Sequence, residues 1–247
     1  MKIRIAGMLA IAAVAWLAVA QRPERPGQRP GQGGQIKPRM SDTIKASVYV
    51  DNWFMMYING KLVAVDPIDF IPHNQVNLDI LPEYPMTIAI LAKDNADPKT
   101  GLEYGNHIGD AGMILKFGDG TVTNAKWKAK VLFTGPLDRD VQHPRVRYEP
   151  APDHWYAPDF DDSARTQATE YTEERVRPDG NYVAEDFTGA KFIWSGDLDL
   201  DNTVLFRYRV EEPGWKPRWN TKPDMDNTCI FFPTEPACQA AVLGRKP

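Results

Sequence analysis

The sequence predicts an all-β protein, an antiparallel β-sandwich or jelly roll with irregular Pro-rich tails. Short apolar runs that alternate with period two recur throughout residues 45–210. Tight-turn pairs separate some of these runs, namely Asn59-Gly60 and Asp119-Gly120. After the first twenty residues, no long stretch carries the apolar stripe of a helix.

The first predicted element is a β-hairpin within the stretch MMYINGKLVAV, residues 55–65. The preceding strand WFMMYI alternates between two faces, one formed by Trp53, Met55 and Tyr57 and the other by Phe54, Met56 and Ile58. Asn and Gly both tolerate the positive φ that a two-residue type I′ turn requires. We therefore expect residues 61–65 to return as the second strand.

The remaining predicted strands follow at intervals typical of an all-β domain. They are VNLDIL (76–81), MTIAILAKD (86–94), GMILKF (112–117), KWKAKVLF (126–133), KFIWSGD (191–197) and NTVLFRYRV (202–210). About eight strands with turn signals between them are typical of a sandwich or jelly roll. Residues 41–212 are long enough to form one buried core, and we predict that they make up the β-sandwich domain.

Residues 1–20 are predicted to be a signal peptide. Lys2 and Arg4 precede a small-residue apolar run that is too short to cross a bilayer as a helix and ends in Ala-Val-Ala. This pattern predicts a secreted, extracellular protein with no membrane span in the mature chain. Removal of residues 1–20 changes the formal net charge of the chain from −4 to −6, and this negative charge disfavours nucleic acid as a partner.

The predicted domain is flanked by two polar segments. Residues 21–40 are rich in Pro, Gly, Gln and Arg and are predicted to be a disordered linker. Residues 213–247 form a Pro-rich C-terminal tail that contains Cys229 and Cys238. In an oxidising compartment a close pair of this kind is expected to form a disulfide bond.

Four phrases together resemble the galactose-binding-like β-sandwich domains, the jelly rolls appended to rhamnosidases, β-galactosidases and other carbohydrate-active proteins. They are DNWFMMYINGKLV (51–63), MILKFGDGTVTNAKWKA (113–129), DFDDSARTQATEY (159–171) and FIWSGDLDLDNTVLFRYRV (192–210). Two departures accompany the resemblance: Arg165 stands where the related pattern has Trp, and the last phrase follows the hairpin instead of preceding it. The resemblance implies a carbohydrate-binding module.

The long loop at residues 93–112 carries the candidate ligand-binding residues. Planar polar side chains suit sugar hydroxyls, and an aromatic face suits the sugar's CH surface. The candidates are Trp53, Asp94, Asn95, Glu103, Tyr104, Asn106 and His107. A loop of this length exceeds what chain closure needs, which favours a function. The alternative is a Gly-rich surface loop held by its own Asx turns.

The run DLDLDN suggests a calcium site outside the EF-hand class, formed by Asp197, Asp199 and Asp201. The EF-hand reading fails because its sixth and twelfth positions are Asn202 and Tyr208. The alternative is a solvated strand edge. A possible structural calcium ion is the one cofactor that the sequence suggests.

No catalytic constellation is evident, so we predict that the protein is not an enzyme. Asp161 and Asp162 are the best acid–base candidates, but adjacent carboxylates in such a turn usually cap backbone N–H groups. The favoured hypothesis is a secreted β-sandwich that binds carbohydrate or an extracellular protein. The alternatives are a structural component of an extracellular matrix, wall or surface appendage, and a hydrolase or lyase that acts on polysaccharide.

Overall fold

The computed structural model describes residues 34–68, 75–178, 182 and 185–221. The predicted signal peptide, most of the predicted linker and the predicted Cys229–Cys238 disulfide lie outside the described residues. The chain divides into units at residues 1–34 and 35–247, and every described strand and helix belongs to the second unit. Among the described helices, none is long and apolar enough to cross a bilayer.

Two antiparallel sheets form the domain. The five-stranded sheet contains β1 (Ile44–Asp51), β4 (Gln75–Ile80), β6 (Gly112–Phe117), β10 (Thr169–Tyr171) and β11 (Phe192–Trp194). Their order across the sheet is β10-β11-β6-β1-β4. All of its described pairings are antiparallel, as predicted for a sandwich.

The seven-stranded sheet contains β2 (Trp53–Ile58), β3 (Lys61–Val65), β5 (Met86–Lys93), β7 (Lys128–Thr134), β8 (Arg147–Tyr148), β9 (Thr166–Gln167) and β12 (Asp201–Val210). Their order across the sheet is β3-β2-β5-β12-β7-β8, with β9 also paired to β7. Only short helical segments accompany the strands: 3₁₀ turns at Met40–Asp42 and Leu137–Arg139, and α1 at Glu173–Val176. The prediction of an all-β sandwich is confirmed.

The predicted hairpin is present at the edge of the seven-stranded sheet. Asn59 has φ 47° and Gly60 has φ 79°, the two positive values that a type I′ turn requires. Ile58 pairs directly with Lys61, so the turn contains two residues. The alternating burial of β2 also agrees with the predicted faces. The very short strands β8, β9 and β10 were not predicted, because two or three residues are too few to show a period.

The main core lies between the two sheets. It contains inward-facing residues of both layers, among them Val48 and Leu115 from one sheet and Met56 and Phe206 from the other. Burying an aliphatic or aromatic side chain of this size contributes about 1.5–3 kcal/mol. Burial of these side chains from both layers therefore stabilises the packing of the two sheets face to face.

A second apolar cluster covers the outer face of the seven-stranded sheet. Trp155, from the irregular segment at residues 149–165, packs there with Ala89, Leu132 and Leu205. The ring of Tyr156, from the same segment, stacks on the β2 side chain Tyr57 with 4.5 Å between centroids. The domain therefore has a third, irregular layer that strand patterns alone did not predict.

Arg207 fastens this outer layer to the sheet. Its side chain is only 3% exposed. Its Nε donates to Asp162 Oδ2 at 2.8 Å, and its Nη1 donates to the Trp155 carbonyl oxygen at 2.5 Å. Its Nη2 donates to the carbonyl oxygens of Ala157 and Phe160. A single guanidinium thus pairs with one carboxylate and three main-chain carbonyls of the irregular layer, the planar multi-donor geometry that Arg provides and Lys does not.

The beginning of the C-terminal tail packs beside the start of the domain. Arg218 Nε donates to Asp42 Oδ1 at 2.8 Å, and Asn220 Oδ1 accepts from the main-chain N–H of Ile36 at 2.7 Å. The ring of Trp215 meets Tyr84 edge to face, with 5.4 Å between centroids. The segment up to residue 221 therefore belongs to the folded domain surface.

Replacing Arg207 by Ala is expected to lower the free energy of unfolding by about 3 kcal/mol, because Asp162 and three carbonyl groups lose a shared donor. The measurement is chemical denaturation followed by tryptophan fluorescence. Arg209→Ala on the same strand is the matched control, because its side chain is half exposed and pairs with the exposed Glu211. We expect that control to stay within about 0.5 kcal/mol of the wild type; equal losses in both variants would contradict the role given to Arg207.

Candidate functional site

The candidate site lies at the end of the sandwich where the chain passes from one sheet to the other. β1 ends at Asp51 and β2 begins two residues later in the opposite sheet, so Asn52 is the connecting residue. The main-chain N–H of Asn52 donates to the Lys93 carbonyl at 2.9 Å, and that of Asp94 donates to the Asn202 carbonyl at 2.8 Å. The ends of β1 and β5 and the starts of β2 and β12 therefore meet here, and the loop after β5 leaves from this point.

The outer part of this loop forms an open cavity of about 640 Å³. The cavity is lined by Lys93, Asn95, Ala96, Asp97, Pro98, Lys99, Thr100, Leu102, Tyr104 and Gly105. Tyr104 is 69% exposed and has φ 46°. A volume of this size lies within the range of about 300–1,000 Å³ that is typical of small-molecule sites. The cavity offers amide, carboxylate, hydroxyl and ammonium groups beside an accessible aromatic ring.

Local hydrogen bonds hold the cavity in shape. Asp97 Oδ1 accepts from the main-chain N–H groups of Lys99 and Thr100, at 2.8 and 3.0 Å. The main chains of Glu103 and His107 exchange two hydrogen bonds, at 2.8 and 2.9 Å, and so close the tip that carries Tyr104. The loop is therefore held by its own Asx turn, as the alternative hypothesis expected. It also lines an open cavity.

A close approach of two main chains fixes the base of this loop. A Cβ atom on Gly101 would lie 2.4–2.7 Å from main-chain atoms of Gly135, the residue that follows β7. Gly101 also has φ 69°, which a residue with a side chain rarely adopts. Glycine is therefore required where the loop crosses the neighbouring strand end.

Only some of the predicted ligand-binding residues line the cavity. Asn95 and Tyr104 line the cavity. Asn106 and His107 are exposed at the loop tip, where His107 lies edge-on to Tyr104 at 6.4 Å between centroids. Trp53 is half-buried and its Nε1 donates to the Asp66 carbonyl at 3.0 Å. Trp53, Asn106 and His107 are not among the residues that line the cavity, and Lys93, Asp97, Lys99 and Thr100 line it without having been predicted.

The other two predicted residues, Asp94 and Glu103, are buried and do not line the cavity. The main-chain N–H of Asn95 donates to Asp94 Oδ1 at 2.7 Å and to Asn52 Oδ1 at 2.5 Å. Burial raises the pKa of Asp94 well above its usual value, and the hydrogen bond and negative charge of Glu103 and the charge of Asp51 raise it further. A polar cluster therefore closes the end of the apolar core.

A second cleft, of about 320 Å³, is lined in part by later residues of the same loop and is rich in arginine. It is lined by Ile108, Gly109, Asp110, Arg139, Arg175, Arg177 and Asp199. Arg139 Nη2 donates to Asp199 Oδ2 at 2.8 Å, and Arg175 Nη2 donates to the second oxygen of the same carboxylate. Asp199 thus joins the 3₁₀ turn before β8 to helix α1.

The aspartates proposed as calcium ligands are already engaged by protein donors. Asp199 pairs with two guanidiniums, and Asp201 accepts from the hydroxyls of Thr134 and Ser195. Asp197 Oδ1 caps the main-chain N–H groups of Asp199 and Leu200, both at 3.1 Å. Throughout the part of the chain that the structure describes, no group of three or more His, Cys, Asp or Glu side chains is placed to hold a metal ion. The geometry therefore gives the calcium hypothesis at these three residues no support.

The carboxylates at positions 161 and 162 have structural partners. Asp161 Oδ1 accepts from the main-chain N–H of Ser163 at 2.9 Å, which is the capping role expected for this turn. Asp162 pairs with Arg207, as described above. Neither carboxylate lines one of the two cavities. The structure therefore offers no geometric support for acid–base work by this pair.

The Asp199 network predicts a dependence of stability on acid pH. Burial raises the pKa of Asp199, but the hydrogen bonds from Arg175 and Arg139 outweigh it, so the net shift is downward from 3.8. A lowered pKa in the folded state stabilises the fold above pH 3.8, and that stabilisation is lost as the pH falls through the folded-state value. Asp199→Asn is therefore expected to cost about 1 kcal/mol near neutral pH and progressively less as the pH falls below 4.

The measurement is the free energy of unfolding of wild type and Asp199→Asn at a series of pH values from 7 to 3. Asp138→Asn is the control, because Asp138 forms a fully surface-exposed pair with Arg145 and is expected to change stability little at any pH. A difference between Asp199→Asn and wild type that stays constant over this pH range would contradict the assignment.

Comparison with known proteins does not assign the chain to a family. No protein-family model, no curated protein and no solved structure matches the chain.

Proposed function

We propose that the protein is a secreted, non-catalytic β-sandwich module that binds carbohydrate in the 640 Å³ cavity of the loop after β5. The observation that carries this proposal is the cavity itself, an open concavity with planar polar side chains and one exposed aromatic ring. Secretion rests on the apolar, small-residue N-terminal sequence. The galactose-binding-like resemblance agrees with the two antiparallel sheets and supports the same class of ligand.

The chemistry of the cavity suits a saccharide. Tyr104 presents a ring on which the CH face of a sugar can pack, while Asn95 and Thr100 line the same cavity and can exchange hydrogen bonds with hydroxyl groups. Lys93 and Lys99 add two ammonium donors. Because the Asx turn at Asp97 and the Glu103–His107 bridge already order the loop, little conformational entropy is lost on binding.

Replacing Tyr104 by Ala is expected to weaken saccharide binding at least tenfold, since an exposed aromatic anchor is lost. The ligand is first identified on a glycan array, and its dissociation constant is then measured by titration calorimetry for wild type and variant. Leu62→Ala is the control, because Leu62 is also exposed but lies far from the cavity. It pairs on strand β3 with Tyr57, which lies near the end of β2 that is away from Lys93. Absence of binding to every glycan, or equal losses in both variants, would contradict the proposal.

A second candidate function, assembly into an extracellular structure, is favoured by strand β3. This strand lies at the edge of the seven-stranded sheet, and the side chains of Leu62, Val63 and Val65 are exposed. An apolar edge strand is a ready template for pairing with another chain. A second copy of the protein, paired edge to edge through β3, is the assembly that this surface suits.

Assembly through β3 predicts a concentration-dependent rise in molecular mass. Light scattering with size-exclusion chromatography is expected to show dimers of the wild type at high concentration. Val63→Lys is expected to remain monomeric, because a charge at the edge opposes pairing. A wild type that remains monomeric over the whole concentration range would exclude this alternative.

A further inference from the structure

The arginine-rich cleft beside the loop carries an excess of positive charge. Three guanidiniums line it, those of Arg139, Arg175 and Arg177, together with two carboxylates, those of Asp110 and Asp199. The two glutamates of helix α1 are not among the lining residues. Charges at a protein surface are screened beyond about 8 Å at physiological ionic strength. A ligand in the cleft therefore meets this local positive charge, although the whole chain has a formal net charge of −4.

Asp199 holds two of the guanidiniums and leaves most of their donors unused. Its carboxylate, in a side chain that is only 19% exposed, accepts one N–H from Arg139 Nη2 and one from Arg175 Nη2. A guanidinium has five N–H groups. Among the described residues, neither arginine makes another side-chain hydrogen bond, and both side chains are about half exposed. The remaining N–H groups are thus held in position and accessible to an anionic ligand.

The third guanidinium is only weakly paired. Within the described part of the chain, the one ion pair of Arg177 is with Asp110, whose Oδ2 lies 3.9 Å from Nη2. That distance is too long for a hydrogen bond, and the Arg177 side chain is 73% exposed. An exposed ion pair of this kind stabilises a fold very little. The contact with Asp110 therefore does not account for an arginine at this position.

Two of the three arginines occupy main-chain positions that favour glycine. Arg139 has φ 55° and Arg177 has φ 53°, both in the left-handed region. Arg177 caps the C-terminal end of α1, where glycine is common because it has no Cβ. A residue with a side chain costs conformational energy there, and strain of this kind clusters at functional sites. The main chain and the pairing of Arg177 thus agree that its guanidinium has a role outside the fold.

The cleft adjoins the proposed saccharide cavity. Gly105 lines the cavity and Ile108 lines the cleft. Their Cα atoms are at most about 11 Å apart, because they are three residues apart in the chain. A Cβ atom on Gly109 would overlap the carboxylate of Asp94 and would lie 3.2 Å from Asn202 Oδ1, so this part of the loop packs tightly on the end of the sheet. A ligand of a few sugar units can therefore reach both concavities.

We propose that the cleft binds the carboxylate of a uronic acid, in an acidic saccharide whose neighbouring rings occupy the cavity. Planar guanidiniums pair bidentately with carboxylates. A saccharide with isolated charges fits better than a densely charged polyanion, which the negative net charge of the chain repels. Asp199 is a positioning residue, because it holds Arg139 and Arg175. The inference rests on the proposed function and specifies the class of saccharide.

The first test compares oligosaccharides of galacturonate, glucuronate, mannuronate and guluronate with their carboxyl-reduced counterparts, at constant ionic strength. Dissociation constants are measured by titration calorimetry on the full chain. We expect at least one uronate oligosaccharide to bind at least tenfold more tightly than its reduced, uncharged form. Equal affinities within every pair would overturn the proposal, and so would tighter binding of densely sulfated dextran than of any uronate.

Arg177→Gly separates a role in binding from a role in folding. Glycine suits the left-handed main chain, so we expect the thermal midpoint of the variant to equal or exceed that of the wild type. The preference for the uronate over its carboxyl-reduced form is expected to fall at least fivefold. Arg209→Ala is the matched control, because it also removes one positive charge but lies near the other end of β12, beside the exposed Glu211. Equal falls in preference in the two variants would indicate a general charge effect and overturn the proposal.

This inference and the proposed function fail separately. Glycan binding with no preference for uronate forms would contradict the cleft and leave the cavity standing. Uronate binding that is weakened by Arg177→Gly but unchanged by Tyr104→Ala would contradict the cavity and leave the cleft standing.

Discussion

The passage of the chain between the two sheets at Asn52 is the constraint on which the rest of this end of the molecule depends. β1 and β2 are almost continuous, so one segment contributes Val48 and Val50 to the first layer and Phe54 and Met56 to the second. A chain that crosses between layers turns main-chain polar groups toward the end of an apolar core, and these groups need partners. Here the main chain of Lys93 and the side chain of Asn52 provide them.

The polar cluster follows from that crossing. Asn52 fixes the main chain of Asn95, and the main chain of Asp94 is fixed by the first residues of β12. The loop after β5 therefore starts from a rigid base, although most of it lies at the surface. Rigid support beneath an exposed loop is the usual way in which a β-sandwich presents a recognition surface.

The strands could be predicted from the sequence, because alternation and turn residues act locally. Asn59 and Gly60 indicate their turn directly, and the burial of β2 shows the expected period. The outer layer could not be predicted in this way. The period-two pattern of β12 places Arg207 on the face away from the main core. An arginine at such a position is expected to be exposed to solvent. It is buried because an irregular segment with no period of its own folds back over that face.

The candidate site was only partly accessible from the sequence for the same reason. The loop at residues 93–112 was singled out by its length and composition, and it does form a cavity. Which of its side chains face outward depends on turns that have no periodic signal. Asp94 and Glu103 resemble ligand contacts in the sequence, yet the structure buries them. The meeting of Asn202 with Asp94 depends on strand order, and residue spacing does not encode that order.

The aspartates of the DLDLDN run show how identical residue types divide their roles. Asp197 caps main-chain N–H groups, Asp199 binds two arginines, and Asp201 accepts from two hydroxyls. Three alternating carboxylates look alike in the sequence. Their different surroundings, supplied by the 3₁₀ turn, α1 and β7, decide what each one does.

The two close-packed glycines of the loop have an evolutionary consequence. Gly101 and Gly109 leave no room for a side chain, whereas the stretch between them exposes Tyr104 and Asn106 on its outer side. Residues that shape the main chain and residues that face outward therefore occupy different positions of one short segment. The outward side chains can be exchanged during evolution while the main chain beneath them keeps its path, which also marks these positions as the natural choice for a combinatorial library.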